Sequence, residues 1–350
     1  MFLNELSERQ RKLVSRRFGL QNKKARTLAA IGRSEGVSRE RVRQIVTGAL
    51  RKLKKKIERA GENEEKKEFY KTILGRIEEE GGVIGRNVLL RETLSDKTTL
   101  SRAKRAGMIS FILSSLPGLQ YKKPSVRFGE LWYLPQAKDF VTKVDRFHND
   151  LVAYFEKQQR PYTFAKLRKE FGSYAKAYAE KGIKKLEIDK KKLGLLLRES
   201  YLLGENILGQ WGLAKWKIVR PTAVREKAYL VFKKEREPLH FRALTTRINK
   251  YWSSGRRALP QTVHNAIIKY PEFVVVDLGT YGLKEWLYEE NDIRQRLLDF
   301  FEKNKKASIE ELVSSLKKTK ESRVRLEITL RAILHREKMF IRRNGKYMVK

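Results

Sequence analysis

The stretch 27-TLAAIGRSEGVSRERVRQIVTGALRKL-53 decides the fold at the N-terminal end of the chain. Its apolar spacing predicts one short helix that begins near Thr27 and ends at Gly36, and another that begins after Ser38 as N-cap. Two short helices that cross steeply need a small residue where they touch, and Gly32 is that residue. The stretch therefore predicts a helix-turn-helix.

The predicted helices divide their residues between a core and an exposed face. A further helix, N-capped by Ser7 and stopped by Gly19, is expected before these two. The helix that begins after Ser38 is therefore the third helix of the chain. The apolar residues predicted for the core are Leu28, Ile31, Val37, Val42 and Ile45. With these inside, the outward residues at the start of the third helix are Arg39, Glu40, Arg43 and Gln44.

In a helix-turn-helix, that outward face enters the major groove of DNA. An arginine can fork onto a guanine edge, a glutamine can pair with adenine, and a glutamate can accept from cytosine. The basic run that follows, which includes Arg51 and Lys52, can hold phosphates. The alternative is that residues 39–56 form only a solvated basic helix, as most charge runs do, but such a helix requires neither Gly32 nor Gly36.

The composition indicates a polyanionic partner. The chain has 350 residues, a formal net charge of +38 and no cysteine, and residues 1–60 alone contain 18 basic and 5 acidic residues. Nucleic acid is the first candidate and an anionic membrane surface the second, but no apolar run approaches the roughly 20 residues that span a bilayer. Without cysteine there are no disulfides, thiolate nucleophiles or Cys-ligated zinc, and a cytoplasmic location is the default expectation.

The segments LSERQRKLVSRRFGL, SRERVRQI and ALRKL lie between Leu6 and Lys55. Together they resemble region 4 of sigma-70-type bacterial RNA polymerase sigma factors. The resemblance implies recognition of a promoter −35 element, docking on the polymerase flap and association with the bacterial nucleoid. The residues that it implies by position are Arg39, Glu40 and Gln44 for base contacts, and Thr27, Arg41 and Arg43 for backbone contacts.

Three places depart from that family's pattern. Residues 29–30 are Ala-Ala instead of an acidic pair, Glu35 replaces a core aromatic residue, and Gly48 replaces a lysine of the reading helix. Glycine costs a helix about 1 kcal/mol relative to alanine. We therefore expect a softer reading helix and a different target sequence.

Beyond residue 61 the chain repeats itself. Four segments begin with glycine and continue with aromatic and aliphatic residues, as returning strands of small hairpins do: GELWYL at Gly129, GQWGL at Gly209, GTYGL at Gly279 and GKYMV at Gly345. The repeating order is a helix, a short extended link, two helices and the hairpin, which is the order of a winged helix. Repeats of this length indicate whole domains rather than a solenoid. The recurring aromatic residues are expected in the cores: Trp132, Trp211, Tyr281 and Tyr347.

The predicted fold class is mainly α with small β hairpins, an N-terminal helix-turn-helix followed by about four winged-helix modules in tandem. The expected domains are the helix-turn-helix at 1–60 and winged helices at 62–136, 139–218, 225–288 and 291–350. In the third winged helix, FVVVDLGTYGL after a Pro-started helix resembles the HARE-type winged helix of the RNA polymerase delta subunit and several DNA-associated proteins. That resemblance spans residues 225–286.

Two further sets of residues are candidates for DNA contact. In the third winged helix Val263 and Ile267 are expected inside. The residues expected to face outward there are Arg256, Arg257, Gln261, His264 and Asn265. The first winged helix offers a basic helix with Lys97, Arg102, Lys104 and Arg105. For both sets, exposure to solvent alone or contact with a protein is an equal alternative.

The sequence carries few signs of catalysis. It has no phosphate-binding glycine loop, no HExxH zinc motif and no EF-hand loop. In VDRFHND a helix would align only Asp145 with His148, while Asp150 lies apart, so a metal site there is disfavoured. We expect no enzymatic activity, no cofactor and no metal ion.

Three functions fit these features. The leading hypothesis is a sequence-specific DNA-binding transcription protein, sigma-like or a modulator of polymerase, whose partners are double-stranded DNA and core RNA polymerase and not a membrane. The absence of any segment resembling the promoter-melting regions disfavours an autonomous sigma factor. The second hypothesis is an architectural or polymerase-interacting winged-helix protein with little sequence preference, and the third is an enzyme such as a nuclease. The sequence leaves the oligomeric state open.

Overall fold

The computed structural model describes residues 3–21, 24–59, 64–92, 101–179, 189–253, 255–319 and 321–350. The described chain is mainly helical and carries several small antiparallel sheets, which confirms the coarse fold class. It divides into two compact units. The first is Met1–Gly204 with Trp211–Ala214, and the second is Glu205–Gln210 with Lys215–Lys350.

Three α-helices open the first unit. The elements are a 3-10 helix (Leu3–Glu5), α1 (Glu8–Phe18), α2 (Leu28–Glu35) and α3 (Arg39–Arg59). Ser7 caps α1 through a capping box with Gln10, and Gly19 ends it in the left-handed region at φ 69°. Ser38 Oγ accepts the Arg41 backbone N–H at 3.1 Å and so caps α3. The predicted starts and stops of these helices are confirmed.

Two later segments of the first unit share one order of elements: helix, strand, helix, helix, strand, strand. Repeat 1 consists of α4 (Glu64–Glu79), β1 (Val83–Gly85), α5 (Arg86–Glu92), α6 (Arg102–Ser115), β2 (Gln120–Lys122) and β3 (Leu131–Tyr133). Repeat 2 consists of α7 (Lys138–Gln158), β4 (Tyr162–Thr163), α8 (Phe164–Ala179), α9 (Lys190–Glu199), β5 (Leu203–Glu205) and β6 (Gln210–Leu213). A 3-10 helix, Pro135–Ala137, lies between the two repeats.

The second unit contains this order once in full and once without its first strand. Repeat 3 consists of α10 (Val224–Glu235), β7 (Leu239–His240), α11 (Phe241–Tyr251), α12 (Pro260–Lys269), β8 (Phe273–Asp277) and β9 (Thr280–Leu283), followed by a 3-10 helix (Lys284–Trp286). Repeat 4 consists of α13 (Glu290–Lys303), α14 (Ile309–Leu316), α15 (Arg323–Arg336), β10 (Phe340–Arg343) and β11 (Lys346–Val349). A single bridge between Ala307 and Tyr347 takes the place of its first strand.

In repeats 1, 2 and 3 the last strand lies in the middle of a three-stranded sheet. The strand orders are β1-β3-β2, β4-β6-β5 and β7-β9-β8, while β10 pairs with β11 in repeat 4. The last strands carry the recurring aromatic residues, which are at most 8% exposed: Trp132, Trp211, Tyr281 and Tyr347. Their predicted place in the cores is confirmed.

Helix α6 of repeat 1 packs directly against α1 and α3. Phe111 joins the buried cluster that contains Val14 and Leu53, and its ring meets the Phe18 ring edge-on with centroids 5.6 Å apart. Gly107 makes this approach possible, because a Cβ atom there would overlap the Phe18 carbonyl oxygen. The N-terminal helices and repeat 1 therefore share a core, which the sequence did not predict.

Repeats 1 and 2 meet at a buried carboxyl group. Glu199, at the end of α9, is fully buried, and its Oε1 accepts the Val88 backbone N–H at 2.9 Å. Gly85 and Gly129 leave room for it, since a Cβ atom at either position would overlap the Glu199 side chain. Burial raises the pKa of Glu199 to about 7.

In the second unit, α15 covers one face of β8. Ile328 and Ala332 of α15 are buried with Val276 of β8 and Leu287. Repeats 3 and 4 are thus joined by apolar side chains in addition to the core that each has of its own.

Candidate nucleic-acid interface

Gly32 fixes the angle between α2 and α3. A Cβ atom at this position would lie 2.6 Å from the Val37 carbonyl oxygen and 3.3 Å from the Arg39 backbone nitrogen. Real Cβ atoms do not approach a backbone oxygen so closely, and backbone cannot move aside as a flexible side chain can. Gly36 supplies the turn between the helices in the left-handed region at φ 64°. The predicted roles of both glycines are confirmed.

The inward faces of these helices hold apolar residues. Ile31 and Val42 are completely buried in one cluster with Leu13 and Val46. The partly buried residues packed against this cluster are Phe18, Leu28, Val37, Ile45 and Leu50. All five residues predicted for the core therefore lie in or against it.

The N-terminal half of α3 presents an exposed polar face. The exposed residues are Arg39, Glu40, Arg41, Arg43 and Gln44. Glu40 is held by Arg43 in a forked pair, with Nε to Oε2 at 2.8 Å and Nη2 to Oε1 at 2.6 Å. The hydrogen bond from Arg43 lowers the pKa of Glu40, so its carboxylate stays an acceptor at neutral pH. Both side chains are more than half exposed, and such a pair can open at little cost.

The residues expected at the DNA backbone surround this face. Thr27 Oγ1 accepts the Ala30 backbone N–H at 3.1 Å and so caps α2, whose N-terminus carries the partial positive charge that favours a phosphate. Arg51 and Lys52 are exposed two turns further along α3. Arg41 Nη1 lies 3.4 Å from Gln44 Oε1, which orients one candidate base-reading side chain.

Glu35 at the end of α2 forms ion pairs with two residues of α1. It accepts a hydrogen bond from Lys12 Nζ at 3.1 Å and pairs with Arg16. The Lys12 hydrogen bond is the largest influence that lowers the pKa of Glu35. An ion pair thus occupies the place where the resembling family has a packed aromatic residue. The spacing of Lys12 and Arg16 on one face of α1 was a sequence signal for this contact.

Helix α12 of repeat 3 places most of its predicted residues outward. Val263 and Ile267 are buried, as predicted. The exposed predicted residues are Arg256, Arg257, Gln261 and Asn265. Gln261 Nε2 donates to Asn265 Oδ1 at 2.9 Å, so the two amides form one polar patch. The apolar residues Leu259 and Ile268 flank this patch at 61% and 58% exposure, which the sequence analysis missed.

His264 corrects one part of that prediction. It is half-buried rather than outward, with Nε2 2.9 Å from the Tyr281 hydroxyl and its ring centroid 4.5 Å from that of Phe241. The reason is its position on the helix, one turn before buried Ile267, where the imidazole fits between two aromatic side chains. His264 supports the core instead of facing a partner.

The basic helix predicted in the first winged helix is less open than expected. Lys97 lies outside the described residues. Arg102 lies in α6, but its side chain is not among the parts that the structure describes. Lys104 and Arg105 are only half-exposed, because α6 packs against α1 and α3. The expectation that these four residues offer an exposed basic face is corrected to this extent.

The helices equivalent to α12 in the other repeats are largely covered. In α9 the five consecutive residues 193–197 are buried. In α15 the buried residues are Leu326, Ile328, Thr329, Leu330, Ala332, Ile333 and Leu334. By contrast, α12 buries only two residues. A helix that is buried all round cannot offer a polar face to a partner.

No metal site is formed by Asp145, His148 and Asp150. His148 is buried, with Nε2 2.6 Å from Ser200 Oγ, and burial lowers its pKa. Asp145 instead pairs with Lys122 at 2.7 Å. Within the described ranges, no three His, Asp or Glu side chains are grouped to hold a metal ion. The same ranges contain no helix long and apolar enough to cross a membrane.

Comparison with known proteins assigns the N-terminal segment. Residues 2–55 match the family model described as Sigma-70, region 4. Over 52 residues the chain is 50% identical to RNA polymerase sigma factor SigA of Clostridium acetobutylicum, which covers 15% of this chain and 14% of that protein. It is 48% identical over 54 residues to RNA polymerase sigma factor sigB of Arabidopsis thaliana, 15% of this chain and 9% of that one.

A third relative has similar coverage. RNA polymerase sigma factor RpoS of Coxiella burnetii is 45% identical over 60 residues, 17% of each chain. The chain thus spans 9 to 17% of the length of these three relatives. Residues 2–55 are therefore similar to region 4 of sigma-70 factors, and the described part of this segment forms a helix-turn-helix of that DNA-binding type.

Proposed function

We propose that this protein is a sequence-specific DNA-binding transcription protein that reads a promoter element of the −35 type and acts through core RNA polymerase. One observation carries the proposal. Arg39, Glu40 and Gln44 are all exposed on α3, next to the close helix crossing that Gly32 permits, within the segment that matches Sigma-70, region 4.

Each of these three side chains has its own base to read. Arg39 forks onto a guanine edge and Gln44 pairs with adenine through its amide. Glu40 accepts from a cytosine amino group once DNA draws Arg43 away from it, because Arg43 then gains a phosphate as partner. The residues that hold the DNA backbone are Thr27, Arg41, Arg43, Arg51 and Lys52. Such contacts set register and affinity but not sequence.

The four repeats are proposed to be winged-helix modules, with boundaries at 62–136, 139–218, 225–288 and 291–350. Their common element order and the central last strand in three of them support this. In the third module, the proposed second DNA contact consists of Gln261 and Asn265 on α12 and of Arg256 and Arg257 in the segment before it. Residues 250–271 contain no acidic residue and four basic ones, which suits a phosphate backbone.

Selection of bound sequences from random duplex DNA, with and without core polymerase, tests this function. We expect a defined motif from the full chain alone. Arg39→Ala is expected to relax the preference at one base pair of that motif, with a loss of about 1–3 kcal/mol of discrimination. Lys52→Ala is the matched control, because removal of a phosphate-binding side chain weakens binding to all sequences equally.

Enrichment of no motif by the full chain would contradict the proposal. In that case the runner-up function stands, an architectural or polymerase-interacting protein with little sequence preference. The net charge of +38 favours that runner-up, since tight salt-dependent binding to any DNA needs only charge.

A further inference from the structure

A cavity of about 950 Å³, partly open to solvent, lies in the first unit between the helix-turn-helix and repeat 1. One wall comes from α1 and α3, and the other comes from α5, α6, β2 and β3. The apolar residues of its lining include Phe18, Val46, Leu50, Leu113 and Trp132. Small-molecule sites in proteins have this size and this apolar character.

The walls of the cavity carry a strong excess of positive charge. The basic residues that line it are Arg17, Lys24, Arg43, Arg51, Lys54 and Arg86. The acidic residue among its described lining is Glu130, which pairs with Arg86 at 3.0 Å and accepts from Ser110 at 3.3 Å. Lys54 Nζ donates to the Leu119 carbonyl oxygen at 3.3 Å, and burial lowers its pKa. Most of the positive charge is therefore not neutralised by the wall itself.

Aromatic side chains form one end of the cavity. The Tyr121 and Trp132 rings lie with centroids 5.4 Å apart, and Trp132 Nε1 donates to Ser114 Oγ at 3.3 Å. Tyr121 is 44% exposed, so part of its ring is open to a ligand. Burial and the charge of Glu130 raise the pKa of Tyr121 to about 12, so its hydroxyl remains a donor.

We propose that this cavity binds a small anion with an aromatic ring, of the chemical class of the nucleotides, and that the bound anion weakens DNA binding. An aromatic base can pack against the apolar lining residues and stack on the Tyr121 ring. Phosphate oxygens suit the guanidinium groups of Arg17 and Arg51, which form no ion pair with any carboxylate in the described parts of the chain.

The coupling to DNA follows from shared residues. Arg43, Thr47 and Arg51 line the cavity and lie on one side of α3 at helical spacing. Arg43 and Arg51 are also proposed backbone contacts, so an anion in the cavity competes with DNA phosphates for the same guanidinium groups. By linkage, DNA weakens ligand binding by the same factor. This coupling rests on the proposed DNA function, whereas the ligand site does not.

Calorimetric titration of the full chain, without DNA, tests the ligand site. The probes are ATP, GTP, CTP and UTP, with inorganic triphosphate as a control for charge alone. We expect at least one nucleotide to bind about tenfold tighter than triphosphate, because only the nucleotide stacks a base. Equal binding of all four nucleotides and triphosphate would overturn the site.

Three variants locate the binding. Arg51→Ala removes a cation from the cavity lining, and Ala103→Trp fills part of the cavity with an indole ring. Each substitution is expected to reduce nucleotide affinity about tenfold. Lys55→Ala removes the same charge from α3 outside the cavity and is expected to leave nucleotide affinity unchanged. Equal losses from Arg51→Ala and Lys55→Ala would mean diffuse charge attraction and would contradict the site.

DNA affinity measured with and without the tightest nucleotide tests the coupling separately. We expect the affinity for a selected duplex to fall about fivefold or more at saturating nucleotide, at constant ionic strength. Nucleotide binding with unchanged DNA affinity overturns the coupling and leaves the site standing. Absence of DNA binding contradicts the proposed function, not the nucleotide site.

Discussion

Gly32 and Gly48 lie in the same helix-turn-helix but place opposite demands on a side chain. At Gly32 an added Cβ atom meets the Val37 carbonyl oxygen at 2.6 Å, whereas at Gly48 it meets nothing within 4 Å. Sequence reasoning identified Gly32 correctly because a steep helix crossing requires a small residue at the contact. It also identified Gly48 as a weak point, since an exposed mid-helix glycine has no packing to offset its backbone freedom.

Gly48→Ala is expected to stabilise the first unit by about 1 kcal/mol, because alanine removes backbone freedom of the unfolded chain without a clash. Gly32→Ala is expected to destabilise it by about 1–3 kcal/mol through overpacking against backbone. Urea denaturation followed by circular dichroism measures both changes. A stabilising Gly32→Ala would show that the helix crossing is looser than described.

Glu199 makes the stability of the first unit depend on pH. Its pKa rises from 4.5 to about 7 on folding, so the folded state binds the proton more tightly. The stability that the protonated carboxyl contributes is complete below pH 4.5 and is lost as the pH rises through about 7. The loss is on the order of 3 kcal/mol for a shift of this size.

Melting temperatures at pH 5 and pH 7.5 measure this effect, with Glu199→Gln as the comparison. The wild type is expected to lose more stability between these values than Glu199→Gln, which keeps the shape of the side chain without the charge. The same pH dependence in both proteins would assign it to other groups.

The helices differ in which of their features could be predicted from local sequence. Caps, glycine stops and the amphipathic character of α12 are local, and the sequence predicted them. The packing of α6 on α1 and α3 joins residues far apart in the chain, so no local pattern showed that Lys104 and Arg105 lie partly covered. The run LGLLL in α9 was a usable signal of a helix without a free face, since a surface helix needs polar residues on one side.

At the level of this element, α12 together with the basic segment before it, which carries Arg256 and Arg257, is predicted to bind DNA phosphates that α9 does not. Arg256→Ala combined with Arg257→Ala is expected to reduce the slope of log affinity against log salt by about 2, near 0.9 for each phosphate that is no longer neutralised. The matched control is Lys190→Ala combined with Lys191→Ala, which removes the same charge from α9. Equal changes in both double variants would show that charge, not the α12 face, accounts for the binding.

For the whole molecule, the sequence predicted the helix-turn-helix and the order of helices and strands that recurs in the repeats. It did not predict the division into two compact units. Composition and spacing report what each segment forms alone. The division at residues 204–215 depends on which repeats share buried side chains, such as Glu199 in one unit and Ile328 in the other. The segment that matches Sigma-70, region 4 occupies residues 2–55, and the rest of the described chain follows a different plan.

This organisation predicts that the protein does not start transcription by itself. With core polymerase and duplex promoter DNA, we expect no transcript from the full chain alone, because its match to Sigma-70, region 4 is confined to residues 2–55. In vitro transcription with a complete sigma factor as positive control measures this. A transcript from duplex DNA would show that the repeats open the promoter.

Whether α3 reads DNA sequence is measured by the ratio of the affinities for a selected duplex and for its scrambled form. Wild type, Gln44→Ala and Lys52→Ala are compared at one salt concentration, since the ratio depends on salt. Gln44→Ala is expected to lower this affinity ratio by about tenfold, which corresponds to a loss of discrimination within about 1–3 kcal/mol. Lys52→Ala is expected to weaken binding to both duplexes and to leave the ratio unchanged. A ratio that Gln44→Ala leaves unchanged while both affinities fall equally would contradict sequence reading by α3.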